Sequence, residues 1–404
     1  MGDETMRADC CIVGAGPAGL VLALLLARRG QRVTVVDRRQ HLAEGGPSHA
    51  PFLSPPSLDL LGHMGLLDTL EPYGQPLRQI WEYDPRGGRT TLDYASVPGC
   101  TRPYALSLPL RALAAALEEA LLKEPTARIM TGTSVRGLTG EADTGYGLDL
   151  LRNDVPVRVL SRYVIGSDGK FSALREMAGI GTQVFAFDRP AVMVELPLPV
   201  GAPERITAYR DVHGALVATM PVAEGKLTVL WAADPDAYAQ IKESGVGALR
   251  RRLARAVPAL TTPLTAHLSS WDQVMEVRHH VVRPERWYRG NLGLLGDSAH
   301  GVHSFGAQGL NLALADAVVL ADLLNSTAKN PTADPLAAYE AIRRPYVEHF
   351  QELQTQLGVL SSNPRQPVRD TGMYAAIAEV MTLGQPEVTP LHALVTTTPQ
   401  TTTR

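Results

Sequence analysis

The sequence predicts an α/β protein: a parallel sheet flanked by helices, with an antiparallel sheet inserted and helices toward the C-terminal end. Three observations predict it. The chain opens on a strand–helix–strand pattern with a glycine-rich turn. From about Phe185 to Trp231, β-branched runs alternate with Pro/Gly turns at short spacing. Beyond Gly309, two long stretches read as helices.

The elements follow in order. Ala8–Val13 is an apolar run ending at Gly14, as a buried strand should be. Pro17 suits the first turn of a helix, where its missing N–H costs little. Leu20–Ala27 is apolar all round, so that helix is buried, and Gly30 closes it. Val33–Val36 is a second buried strand, ending at Asp37. Residues 41–100 are rich in Pro and Gly, with one short helix from Pro56 to about Leu67. Pro109 opens a helix through Leu122, stopped by Pro125. Arg128–Leu138, Gly147–Val159 and Tyr163–Ile165 read as strands.

The inserted sheet is expected from Ala191–Leu196, Ile206–Arg210, Ala215–Met220 and Lys226–Ala232. A basic amphipathic helix, Gly245–Ala256, follows. Asn291–Leu295 is a buried strand, and a long apolar helix runs from Gly309 to Leu324. Asp334–Leu360 is a further helix, kinked or broken at Pro345, and the Thr-rich end, residues 396–404, is expected to be disordered.

Composition bounds the function. The 404 residues allow two or three domains and a core that needs no disulfide or metal. The net charge of −3 argues against binding nucleic acid through its phosphates. Lysines stand only at 123, 170, 226, 242 and 329, the other cations being Arg; with the wealth of Ala, Pro and Gly this points to a GC-rich bacterial genome. Cys10, Cys11 and Cys100 lack zinc spacing, and the adjacent pair disfavours a disulfide, so a reducing compartment is expected. Asp3 and Glu4 precede any apolar run, so no signal peptide is expected; the early apolar run is short of the ~20 residues a bilayer requires. The expectation is a cytoplasmic protein with no integral membrane segment and no metal, monomeric or homodimeric.

Gly14-Ala15-Gly16-Pro17-Ala18-Gly19 is a G-x-G-x-x-G between a strand and a helix, with an acid, Asp37, ending the next strand. Gly14 makes the tight turn, Gly16 lets pyrophosphate approach the backbone, and Gly19 lets helix and strand pack closely. The helix N-terminus offers free N–H groups to phosphates. This is a Rossmann-like dinucleotide site. Two later segments each begin with an apolar strand that ends in an acid beside a glycine: Val164–Arg175, with Gly166-Ser167-Asp168-Gly169, and Gly290–His300, with Gly296-Asp297-Ser298, followed by Ala307-Gln308-Gly309-Leu310-Asn311.

From about residue 8 to 345, these motifs in this order resemble the para-hydroxybenzoate hydroxylase-like family of FAD-dependent aromatic monooxygenases, which includes the ubiquinone-biosynthesis hydroxylases. The resemblance implies FAD as bound cofactor and NAD(P)H as transient co-substrate. Gly14, Gly16 and Gly19 would hold the pyrophosphate and Asp37 the adenosine ribose, with Pro17, Ala18 and Arg38 also among the cofactor-binding residues. Val135 would reach adenine through its backbone, and Arg111 would contact FAD. Asp168 and Gly169 would serve both FAD and the nicotinamide donor. Asp297 would bind the ribityl chain, with Gly309, Leu310 and Asn311 beside the pyrimidine of the flavin. Tyr339, Arg343, Arg344 and Pro345 match a structural helix signature. Three positions depart from the family pattern: His49 where many relatives have Arg, Ser304 where a proline is usual, and Ala307 in place of a glycine.

The resemblance further implies one discontinuous FAD-binding domain (1–75, 103–184 and 275–330), a substrate domain (76–102 and 185–274) and a C-terminal helical segment (331–395). The implied activity is hydroxylation or epoxidation, by way of O2 added to the flavin C4a, of a small aromatic or polyketide-type molecule in secondary metabolism. No catalytic side chain is assigned. His213, Tyr209, Arg210 and His303 are candidates for a base that ionises a phenol. Met193, Met220, Leu216, Val229 and Trp231 are candidates for an apolar pocket. Competing readings are a halogenase or reductase of the same fold and a catalytically silent flavin-binding protein. Against a halogenase, the tryptophans at 81, 231, 271 and 287 are isolated.

Overall fold

The computed structural model describes residues 5–42, 51–83, 88–141, 145–187, 189–210, 216–326, 334–356, 377 and 381. His49, His213 and the 396–404 tail lie outside the described residues.

The first strand, Thr5–Val13, is central in a twisted sheet. It pairs in parallel with Val155–Gly166 on one side and Val33–Val36 on the other. Leu292–Leu294 and Ala127–Met130 extend the sheet in parallel beyond these. The register aligns Val13 with both Gly166 and Val36, and Gly166 with Leu294. All the acidic strand ends therefore emerge along one edge, where open α/β sheets bind ligands.

The Pro17–Ala27 helix is buried at every residue after Pro17, because it packs between the sheet and the helices Leu110–Leu122 and Gly309–Ser326. Gly309–Ser326 is long and apolar enough to cross a bilayer by composition, yet its burial in the core explains that composition. Cys10 and Cys11 are packed inside the same core. Burial pushes the Cys11 thiol up to about 12, so it stays protonated and inert.

The second sheet has seven strands in the order Val274–Val277, Ala191–Pro197, Lys226–Ala232, Leu216–Val222, Arg205–Arg210, Gln79–Tyr83, Arg89–Asp93. All pairings are antiparallel except Arg205–Arg210 with Gln79–Tyr83. Strand alternation splits its side chains. Val192, Val217, Val229 and Trp231 pack against Tyr238, Leu249 and Leu264 of a helical layer. In the basic helix Val246–Ala256, Leu249 and Leu253 point inward one turn apart, while Arg251 and Arg255 stay exposed.

Several boundaries differ from the sequence expectation. Gly147–Val159 is not one strand but two, joined by Asn153-Asp154 with φ of 46° and 66°, and the second runs on unbroken through Tyr163–Ile165 to Gly166. Two successive left-handed residues make a tight hairpin turn, which Asn and Asp tolerate. Arg128–Leu138 breaks at Gly132, and the helix expected to Leu67 ends at His63, before Gly65; both glycines have positive φ. Pro335–Gln356 continues through Pro345 as one helix.

That last helix is fastened to the core by a buried ion cluster. Arg343 Nε donates to Asp316 Oδ1 at 2.6 Å, and His300 Nε2 bonds the other Asp316 oxygen. Burial alone would raise the Asp316 pKa, but His300 and Arg343 hold it below the usual carboxylate range. A lowered native pKa contributes stability above the unfolded value and loses it as pH falls through the native value. Arg343→Met, which leaves Asp316 short of its partner, is expected to cost about 3–5 kcal/mol at neutral pH by urea unfolding. The gap from wild type should narrow below roughly pH 4, as the carboxyl is protonated.

Candidate active site

Three strand-end turns build a cradle at the sheet edge. Gly14, with φ of 105°, passes so close to the turn after Gly166 that a Cβ there would lie 2.2 Å from the Ser167 carbonyl oxygen. A Cβ on Gly19 would lie 2.3 Å from the Gly14 carbonyl oxygen, so the helix can approach the strand only without one. A Cβ on Gly16 would meet nothing within 4 Å. Two glycines are thus demanded by the protein's own packing, and the third faces open space at the N-terminus of the Pro17–Ala27 helix. That is the cradle a pyrophosphate requires.

Asp37 is buried beside it. Its carboxylate accepts from Ala15 N–H at 2.7 Å and from the Arg39 backbone N–H, Nε and Nη2, each at 2.9 Å. Burial opposes its charge, but Arg39 and the Ala15 amide hold its pKa below the usual range. The structure places Arg38 at the surface and brings Arg39 onto Asp37 instead. The order of two adjacent arginines carries no sequence signal for this choice.

The other two motifs are locked together by Ser298. Its hydroxyl donates to Asp168 Oδ1 at 3.1 Å and accepts from Gly169 N–H at 2.9 Å. Asp168 Oδ2 also accepts from Leu174 N–H. Buried Arg175 donates to the Ser298 and Lys170 carbonyls at 2.9 and 2.8 Å. Asp168 is therefore engaged within the scaffold, whereas Asp297 lines the cavity. Neither Arg175 nor Ser298 was singled out by sequence.

Asn311 is 2% exposed and spends its whole amide internally. Oδ1 accepts from Ser54 N–H and Ser57 Oγ–H at 2.9 and 2.8 Å; Nδ2 donates to the Phe52 and Ala307 carbonyls at 2.9 and 3.0 Å. Any cofactor contact there falls to its backbone. Gly309 and Leu310 line the cavity at the start of the same helix. Ala307 holds φ of 55°, a conformation that suits the usual glycine. Arg111 is exposed and paired with Glu224, and Val135 sits in the strand Thr133–Glu141; neither lines the cavity.

A cavity of about 630 Å³ opens between this cradle and the second sheet. The sheet contributes Met193, Leu216, Met220 and Leu230, with Ala208 and Ala218 between them. Val229 and Trp231, candidates for the pocket for which core packing is the stronger expectation, lie on the opposite face in the helical core, because strand neighbours alternate sides. Tyr209 likewise packs toward the helices and stacks on Tyr83. Arg210 and His303 do line the cavity. Arg210 is bound to Glu82, at 2.8 Å between Nη2 and the carboxylate, with both side chains under a tenth exposed. Glu82 was invisible in the sequence, since its strand joins the sheet from far upstream.

The cradle fits FAD on its own geometry. Gly14→Ala is expected to lower stability by about 2–4 kcal/mol through clash and disallowed φ. Gly16→Val should leave the apoprotein within about 1 kcal/mol of wild type, yet weaken FAD retention at least tenfold, read from bound-flavin absorbance after gel filtration. Ala307→Gly should raise stability by roughly 1 kcal/mol in thermal unfolding by relieving the left-handed turn.

Residues 7–353 match the FAD binding domain family. Among curated relatives, the chain is 31% identical to protoasukamycin 4-monooxygenase of Streptomyces nodosus subsp. asukaensis, over 95% of both chains. It is 32% identical to 6-methylpretetramide 4-monooxygenase of Streptomyces rimosus, over 86% of this chain and 82% of that one. PqsL of Pseudomonas aeruginosa, crystallised with 2-aminobenzoylacetate, superposes with a TM-score of 0.78 at 24% identity, covering 93% of this chain and 99% of that one. With the cradle, the three strand-end motifs and these likenesses together, the chain belongs to the FAD binding domain family and is an FAD-dependent monooxygenase.

Proposed function

We propose that this monooxygenase uses NAD(P)H and O2 to hydroxylate or epoxidise an aromatic or polyketide-type molecule, in the cytoplasm of a bacterium that makes secondary metabolites. The observation that carries the reading is the large apolar cavity against the FAD cradle. It reaches from Val277, on one edge strand, to Glu82, five strand steps across the sheet. At ~4.8 Å per step that is roughly 24 Å, room for an extended multi-ring skeleton. The relatives named for protoasukamycin and 6-methylpretetramide support a substrate of this kind.

Gly14, Gly16, Pro17, Ala18 and Gly19 would hold the FAD pyrophosphate, with Asp37 at the ribose. Asp297 would meet the ribityl chain, and Gly309 and Leu310 the flavin ring. When bound, FAD supplies the chemistry that passes electrons from NAD(P)H to O2 and one oxygen atom to the substrate. The Gly309–Ser326 helix begins at the cavity, and the partial positive charge of its first-turn N–H groups would favour negative charge on the bound group. Met193, Leu216 and Leu230 exclude water from the far wall. The Glu82–Arg210 pair sets a polar pole among them.

Holoenzyme given NAD(P)H, ¹⁸O2 and a panel of phenolic and quinone-like multi-ring compounds is expected to incorporate one labelled oxygen into at least one of them, detected by mass spectrometry. NAD(P)H oxidation should rise at least tenfold with that compound. Stimulation by none of the panel, with FAD bound, would overturn the aromatic or polyketide-type substrate.

A further inference from the structure

The cavity wall carries a polar pair outside the residues assigned to FAD. Ser304 stands exposed on the turn ahead of the Gly309–Ser326 helix, and its Oγ lies 3.2 Å from His279 Nε2. Both residues line the cavity. They stand 25 residues apart in the chain: His279 follows the edge strand Val274–Val277 of the second sheet, and Ser304 follows the Gly296–Asp297 motif.

The surroundings hold the pair in place. Lys170 Nζ donates to the His280 and Val302 carbonyls, at 3.1 and 3.0 Å, tying together the two backbone segments that carry it. The ring of His303 lies 4.2 Å from that of His279, centroid to centroid, and Phe187 meets His303 edge-on from the other side. His303 Nδ1 accepts from Phe305 N–H at 3.0 Å, so that nitrogen is committed. Burial, with His279 and Lys170 nearby, pushes His303 well below the usual imidazole range, so it stays neutral. His279, against the cavity and bonded to a hydroxyl, is the better placed of the two to take a proton. His303 packs on it, and Lys170 and Arg189 line the same cavity.

Resting on the reading that the substrate carries a phenolic or enolic hydroxyl, we propose that Ser304 and His279 form its proton-transfer pair. Ser304 Oγ passes its own proton to His279 Nε2 and takes the substrate's. One O–H bond breaks on the substrate and one forms on Ser304; the original Ser304 O–H breaks and an N–H forms on His279. No electrons are exchanged. The products are a phenolate and an imidazolium, whose opposite charges offset each other in a cavity whose sheet wall is largely apolar. The phenolate is the electron-rich form that an oxygen-transfer reaction uses. Ser304 is also where the family pattern usually places proline, which has no hydroxyl, so the pair is a property of this chain.

The test uses FAD-loaded wild type, Ser304→Ala, Ser304→Thr and His279→Gln with 4-nitrophenol, whose phenolate absorbs in the visible. Bound flavin and melting temperature show that each variant is folded and loaded. The absorbance of the bound dye is followed against pH. The bound phenol is expected to ionise at a pH higher by about one unit or more in Ser304→Ala and His279→Gln than in wild type, with Ser304→Thr restoring the wild-type curve. Superimposable titrations in wild type and both disabling variants, with the dye still bound, would overturn the pair and leave the aromatic-substrate reading standing. Failure of wild type to bind this dye or any other phenol would overturn that reading, and the pair with it.

Discussion

One buried amide sets the shape of the site. Asn311 joins four segments: the Phe52–Leu53 strand, the start of the helix that follows it, the Ala307 turn and its own helix. Each bond contributes on the order of 1 kcal/mol, but leaving any of these buried groups unpaired would cost more. The bond to the Ala307 carbonyl also pins a turn whose φ an alanine adopts only at a cost. Through this clamp the helix N-terminus, the Ala307 turn and the Phe52–Ser57 segment are held to one another. Whatever binds the cradle and whatever enters the cavity meet across it.

Convergence of the motifs has a separate cause, the parallel register. Val13, Val36, Gly166 and Leu294 end level, so chain segments more than a hundred residues apart deliver their turns to the same edge. The turns are then interlocked by donors from the protein itself: the Ser298 hydroxyl between Asp168 and Gly169, and the cationic Arg175 fork on two carbonyls. Acids in such a place would repel one another if all faced the ligand. Asp37 and Asp168 are instead absorbed by their neighbours, which leaves Asp297 as the acid of the three that lines the cavity.

Local signals made much of this legible. The glycine turn, the buried Leu20–Ala27 run and the Val33–Val36 strand are each set by a few adjacent residues, and they stand where the sequence put them. What escaped was whatever depended on distant pairing or on the side a residue faces. The strand Gln79–Tyr83 pairs in parallel with a strand more than a hundred residues later, so nothing near it marks Glu82 as part of a pocket. Val229 and Trp231 are as apolar as Leu230, and only the register of the sheet tells core from cavity. Arg39 against Arg38, and Ser298 against its neighbours, are choices of side-chain direction that composition does not encode. The Asn153-Asp154 hairpin was readable, since both residues favour left-handed turns, but the apolar run on either side masked it.

The alternation of the seven-stranded sheet has a consequence beyond this molecule. Its helical face anchors the fold through Trp231, Val229 and Val217, while its cavity face offers Met193, Ala218 and Ala232 to whatever enters. Exchange of a residue on the second face changes volume and polarity in the cavity but removes no packing from the first. Stability and substrate range are thus written on opposite sides of the same strands. A lineage built on this sheet can drift in what it accepts while natural selection for folding holds the other side constant.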